Sequence, residues 1–219
     1  MGTRTAKRGQ PAQQAARMTQ ALPKRRARGW GPARIYAVGH STRTAEELVE
    51  LLHAHGVGTL ADIRTVPRSR TNPQFNRDTL PRTLAKEDLR YVHLPKLGGL
   101  RQRRPDSPNG GWRNKSFQGY ADYMLTEDFT QGLEELRVLA EEAPVAIMCA
   151  EALRWRCHRS LVSDALYARG VQVLHILSRT RVEPHRLTAF AELHGRQVLY
   201  PPYEEASEGT ASSEPPGRT

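Results

Sequence analysis

The chain predicts an α/β domain with a mainly parallel sheet of about six strands flanked by helices. Three observations carry that prediction. Short runs rich in Val, Ile and Leu recur along the sequence, bounded by Gly, Pro and Asn. Between them, apolar residues fall at helical spacing, so strands and helices alternate. The apolar runs are also nearly continuous rather than alternating, as strands covered on both faces require. An incomplete or distorted β/α barrel is the rival architecture; both put the loops after the strands on one working face.

Each element has a local reason. Residues 35–38 form a short apolar strand ending at Gly39-His40-Ser41. Thr44 and Glu47 make a capping box, and Leu48, Leu51 and Leu52 share one face of a helix that Gly56 closes. A second strand, 59–63, leads into Arg64 and the loop Pro67-Arg68-Ser69-Arg70. Residues 80–88 read as a helix and 90–94 as a third strand, running into Leu97-Gly98-Gly99. A polar insertion, 101–116, precedes two helices, 117–125 and 129–142, the second with Phe129, Leu133 and Leu136 on one face. Strand 144–149, helix 160–169 and strand 171–177 follow. Pro184, suited to a first turn, opens a helix to His194, and 197–200 supplies the last strand.

The ends differ from this core. Residues 1–34 hold nine Lys or Arg and no acid, the first carboxylate being Glu46. With almost nothing to bury, this arm is predicted to be disordered, as is the Glu-, Ser- and Pro-rich tail 204–219. One domain, 35–203, remains. Of the net charge of +10, the arm supplies +9 and the tail −3, so the core is only mildly basic at +4. A cationic arm attracts nucleic acid through counterion release, or is simply a solvated tail. It has the Arg-rich look of a transit peptide but no amphipathic pattern. No stretch approaches the ~18 apolar residues that span a bilayer, and no signal-peptide core precedes the domain. Two cysteines eight residues apart do not make an extracellular disulfide framework, so a cytoplasmic protein without a membrane partner is expected.

The chemistry gathers where strands end. Arg64, Arg70 and Arg159 present planar forks suited to phosphate or carboxylate, Arg159 beside a helix start; each also has an internal partner in reach, Asp62 or Glu151. His40, Ser41 and His158 join them as anion- or substrate-binding candidates, with a structural histidine the alternative for His40. Glu151 and Asp62 are the candidate general acids or bases. Cys157, at a helix start, is a candidate nucleophile because a thiolate is stabilised there, whereas Cys149 reads as a small buried hydrophobe. The spacing of Cys157 and Arg159 is too short for a loop wrapped round an anion. With no C-x₂-C pair, metal is the weaker reading of Cys149, Cys157, His158 and His40, and no cofactor is expected. In the insertion, Trp112 among Arg101, Arg103, Arg104, Arg113 and Lys115 can stack on a base, or the segment is a flexible lid.

Taken together, Gly39-His40-Ser41-Thr42, Asp62-Ile63-Arg64, Pro67-Arg68-Ser69-Arg70 with Phe75, Leu97-Gly98-Gly99, Gly119-Tyr120, Met148-Cys149-Ala150-Glu151 and Cys157-His158-Arg159 resemble the bacterial family known as domain of unknown function 488. The resemblance covers about 35–200. It implies an α/β domain with these positions in one site, and no activity. From the residues, the leading expectation is an enzyme acting on a phosphate-bearing substrate, a nucleotide or nucleic acid, by glycosyl-bond cleavage. A non-catalytic nucleic-acid-binding module is the first alternative, and cysteine-based sulfur transfer or redox chemistry the second.

Overall fold

A computed structural model describes residues 29–31 and 33–202. The predicted arm and tail lie outside those residues, apart from the few that lead into the first strand. Strands β1 (Arg34–Gly39), β2 (Thr59–Asp62), β3 (Arg90–His93), β4 (Val145–Cys149) and β5 (Gln172–Ile176) are parallel, in the order β3-β2-β4-β1-β5. β6 (Val182–Pro184) adds an antiparallel edge beside β5. The sheet is open, so the α/β expectation holds and the barrel alternative does not.

Alternation along the strands divides the core. Ile35 and Ala37 of β1, with Ile147 of β4, face one side, where α3 (Lys115–Tyr123), α4 (Glu127–Glu142) and α5 (Arg159–Tyr167) pack. Tyr36, Val38, Ala146 and Met148 face α1 (Ala45–Ala54) and α2 (Leu80–Ala85) on the other. Both halves of the capping box that opens α1 form, Thr44 accepting from the Glu47 amide and Glu47 from the Thr44 amide. Among the described residues no helix is long and apolar enough to cross a membrane.

The connections fix where a crevice must open. From β1 the chain runs through α1 on one face toward β2; from β4 it runs through α5 on the opposite face to β5. β1 and β4 are neighbours, with Gly39 paired to Cys149, so their outgoing chains diverge. That is a topological switch point, where open α/β sheets bind ligands beyond the carboxyl ends of the strands.

Two expectations at the C-terminal end are corrected. The helix read over 184–194 is absent: Pro184 ends β6, and an extended loop follows. A buried carboxylate, Asp164, accounts for this. It accepts from His185 Nε2 at 2.8 Å and from the Thr188 amide and hydroxyl at 3.0 and 2.7 Å, taking groups that a helix would have used. Pro184, lacking an N–H, is tolerated in an edge strand. The last predicted strand also leaves the main sheet. β8 (Gln197–Leu199) pairs with β7 (Glu192–His194) across a tight turn at Gly195, whose φ of +64° suits a hairpin.

Candidate functional site

A cleft with two lobes opens at the switch point. One lobe, about 330 Å³, has apolar and aromatic walls from Val66, Leu100, Phe117 and Tyr120 and a floor of Cys149, Cys157 and His158. The other, about 420 Å³, is polar, lined by His40, Ser41, Thr42, Arg68, Ser69 and Asn72. Arg64, Val66, Ala150 and Glu151 border both lobes. The two walls are tied together beyond the strand ends, since the amides of His40 and Ser41 donate to the carbonyls of Cys149 and Ala150. Ser41 holds a left-handed φ of +52°.

A buried polar spine sits under the cleft. Asp62, fully buried, accepts from the Arg64 amide at 3.0 Å, from its guanidinium through Nη2 at 2.6 Å, and from the Tyr91 hydroxyl at 2.7 Å. Burial, and secondly the Asp62 charge, push the Tyr91 phenol above its ordinary range. Arg64 also donates to the Phe75 carbonyl at 2.6 Å and, through Nη1, to His40 Nε2 at 3.2 Å. Four of its five N–H groups are thus used inside the protein. His40 donates from Nδ1 to the Ser41 carbonyl at 2.9 Å and stacks on Phe75. Burial lowers its pKa to about 4, so it is neutral at pH 7 and accepts from Arg64.

On the β4 side, His158 donates from Nε2 to the Ile63 carbonyl at 2.9 Å, which leaves Nδ1 as the acceptor. Its pKa also falls to about 4, chiefly through burial. Nδ1 lies 3.8 Å from Cys157 Sγ, which accepts the Arg159 amide at 3.3 Å at the start of α5. The sulfurs of Cys149 and Cys157 lie against each other, their Cα atoms 7.7 Å apart. Arg159 is buried behind the cleft, with Nη2 donating to the Ala152 carbonyl at 3.3 Å. Gly39 makes room for it: a Cβ there would stand 2.8 Å from Arg159 Nη1 and collide with the Glu151 carbonyl oxygen.

Of the residues singled out in the sequence, His40, Ser41, Arg64, Glu151, Cys157 and His158 meet at this cleft. Asp62 lies beneath it as the anchor of Arg64. Arg159 lines neither lobe, and Arg70 is exposed outside both. Trp112 is taken up in packing, its ring 5.0 Å from Phe117, 4.8 Å from Phe190 and 5.3 Å from Tyr200. The insertion is stitched down by Asp122, which accepts from Asn109 Nδ2 and the Arg104 amide at 2.8 Å each. Among the described residues no group of three or more His, Cys, Asp or Glu is placed to hold a metal. Sequence reasoning missed Arg156 and Phe117, reached Tyr120 only through the family resemblance, and passed over Arg68 for Arg70; the three-residue spacing of 117 and 120 on one helix face was the available signal.

Charge is strongly segregated. The connections that leave the carboxyl ends of the parallel strands (40–44, 63–79, 94–114, 150–158 and 177–181) carry fourteen Lys or Arg against three acids. Those at the opposite edge (55–58, 86–89, 143–144 and 168–171) carry two of each.

The family model described as domain of unknown function DUF488 matches residues 44–166. The chain belongs to this family. No curated protein and no solved structure matches the chain. The DUF488 match contains both cysteines, His158, Glu151, Asp62 and Arg64, but stops short of β1 with His40 and of everything after β5 begins. The wall that β1 gives the cleft, and the C-terminal segment, are therefore supplied around the DUF488 region.

Proposed function

We propose that this DUF488 protein is an enzyme acting on a phosphate-bearing substrate, a nucleotide or nucleic acid, held in the two-lobed cleft. The observation that carries the reading is the excess of cations on the one edge where the cleft opens. Such a field concentrates polyanions at the site and steers their approach. The aromatic lobe suits a base, which can lie against Phe117. The polar lobe offers hydroxyls, an amide and Arg68 for sugar and phosphate. Glu151 borders both lobes, and this reading sets its carboxylate against the bond joining base to sugar. It is the general acid or base of this reading, and glycosyl-bond cleavage the reaction. Arg68 and Arg156, exposed at the lobes, make the phosphate contacts; Arg64 and Asp62 position the floor.

The test is binding and turnover of single-stranded oligonucleotides and nucleotides by the full chain across a salt series. Arg68→Ala and Arg156→Ala should each lower the salt slope of log K by about one. Glu151→Gln should keep binding and cut base release by roughly 10²–10⁴-fold. The competing reading, a non-catalytic nucleic-acid module, draws on the nine cations of residues 1–34. It expects wild type to release no base and Glu151→Gln to change nothing. Binding that ignores salt would sink both, and binding that survives both arginine changes unaltered would sink the enzyme reading.

A further inference from the structure

The phosphate reading makes no use of the floor of the aromatic lobe, where both cysteines of the chain lie beside a histidine. We infer that Cys149, Cys157 and His158 form a dithiol site that exchanges with a low-molecular-weight disulfide entering the aromatic lobe. The inference is independent of what the polar lobe binds.

Four features of the geometry support it. Cys157 precedes α5, a helix of nine residues, and its sulfur accepts the Arg159 amide at 3.3 Å, a contact that favours the thiolate. The neighbouring ring is set in one tautomer, because Nε2 donates to the Ile63 carbonyl, so Nδ1 is the atom that can take a thiol proton. Cys149, at the end of β4, is the partner whose sulfur lies against it. Both side chains, though nearly buried, also line the floor of the aromatic lobe.

The chemistry balances as two displacements. The Cys157 thiolate attacks one sulfur of the disulfide RSSR, forming Cys157–S–S–R and expelling RS⁻, which takes the proton that Cys157 gave up through His158 Nδ1. The Cys149 thiolate then attacks Cys157 Sγ, closing the Cys149–Cys157 bond and expelling the second RS⁻, which is protonated in turn. The protein is oxidised by two electrons and one RSSR is reduced to two RSH.

The experiment uses the reduced full chain with glutathione disulfide, followed by intact mass and thiol release. Wild type should lose two hydrogens, release two thiols per disulfide, and react at pH 7 about threefold or more faster than free cysteine. Cys149→Ser should stop at a stable glutathione adduct on Cys157, whereas Cys157→Ser should form no adduct at that rate. His158→Gln should move the pH profile of the wild-type rate upward. An adduct found on Cys149 instead, or a wild-type rate no faster than free cysteine, overturns the inference, and the wild-type rate decides it even if a variant fails to fold.

Discussion

His40 and His158 lie on opposite walls of one cleft and share a cause for their neutrality at pH 7: burial disfavours the imidazolium more than any neighbouring carboxylate supports it. Each has a pKa lowered from 6.5 to about 4 in the folded protein. An unfolded chain therefore binds these two protons first as the pH falls. Their contribution is fully present above pH 6.5, is lost as the pH drops toward 4, and changes no further below that. At about 1.4 kcal/mol per pH unit, each histidine accounts for on the order of 3 kcal/mol across the window. Urea midpoints at pH 7 and pH 4.5 should show the loss, and His158→Gln should shrink it; an unchanged difference would mean that the ring is not buried as described. The Asp62–Arg64 pair answers to the same logic of burial. Removing one partner would leave the other charged and enclosed, at a cost of about 3–5 kcal/mol. Sequence placed Asp62 and Arg64 in the site, but could not separate the residue that touches a ligand from the one that holds it. That distinction rests on Tyr91, Phe75 and His40, which arrive from other elements.

At the level of elements, the closest approach at any described glycine is between the end of β1 and the chain leaving β4. Gly39 is required there because the Glu151 carbonyl and the Arg159 guanidinium occupy the space of a side chain. Gly39→Ala should cost about 3 kcal/mol or more, since backbone has to move. Thermal melts should also show the loss partly recovered by Arg159→Met, which shortens the crowding group. If Gly39→Ala melts with wild type, the two walls are not joined as described. Five of the six strands in the main sheet were legible, because buried apolar runs flanked by Gly and Pro have few other solutions. The capping box of α1 was legible for the same local reason. The segment from Val182 onward was not. Its conformation is set by Asp164, distant in sequence, and local propensity carries no record of that partner.

For the whole molecule, that carboxylate is the tie that closes the chain on itself. Asp164 of α5 receives His185, Thr188 and the Tyr200 hydroxyl, the last at 2.8 Å. The Tyr200 amide meets Asn109 of the insertion at 3.0 Å. Asp164→Ala should therefore loosen two remote segments together. Hydrogen exchange should report faster amides near both 109–112 and 185–200, at a stability cost of about 3 kcal/mol or more; protection lost in only one segment would break the link. The common edge of the arginines was legible, since parallel strands put their outgoing loops on one face, but the switch point between β1 and β4 required the strand order. That order also governs how the protein is made. β1 is synthesised first, yet its neighbours are β4 and β5, with Ile35 beside Val145 and Val173. At ordinary elongation rates the ribosome takes roughly 5–30 s to add those partners. Throughout that time a nascent chain carries an apolar strand with both edges bare, and the cleft, whose walls flank that strand, forms only once β4 and β5 have been added.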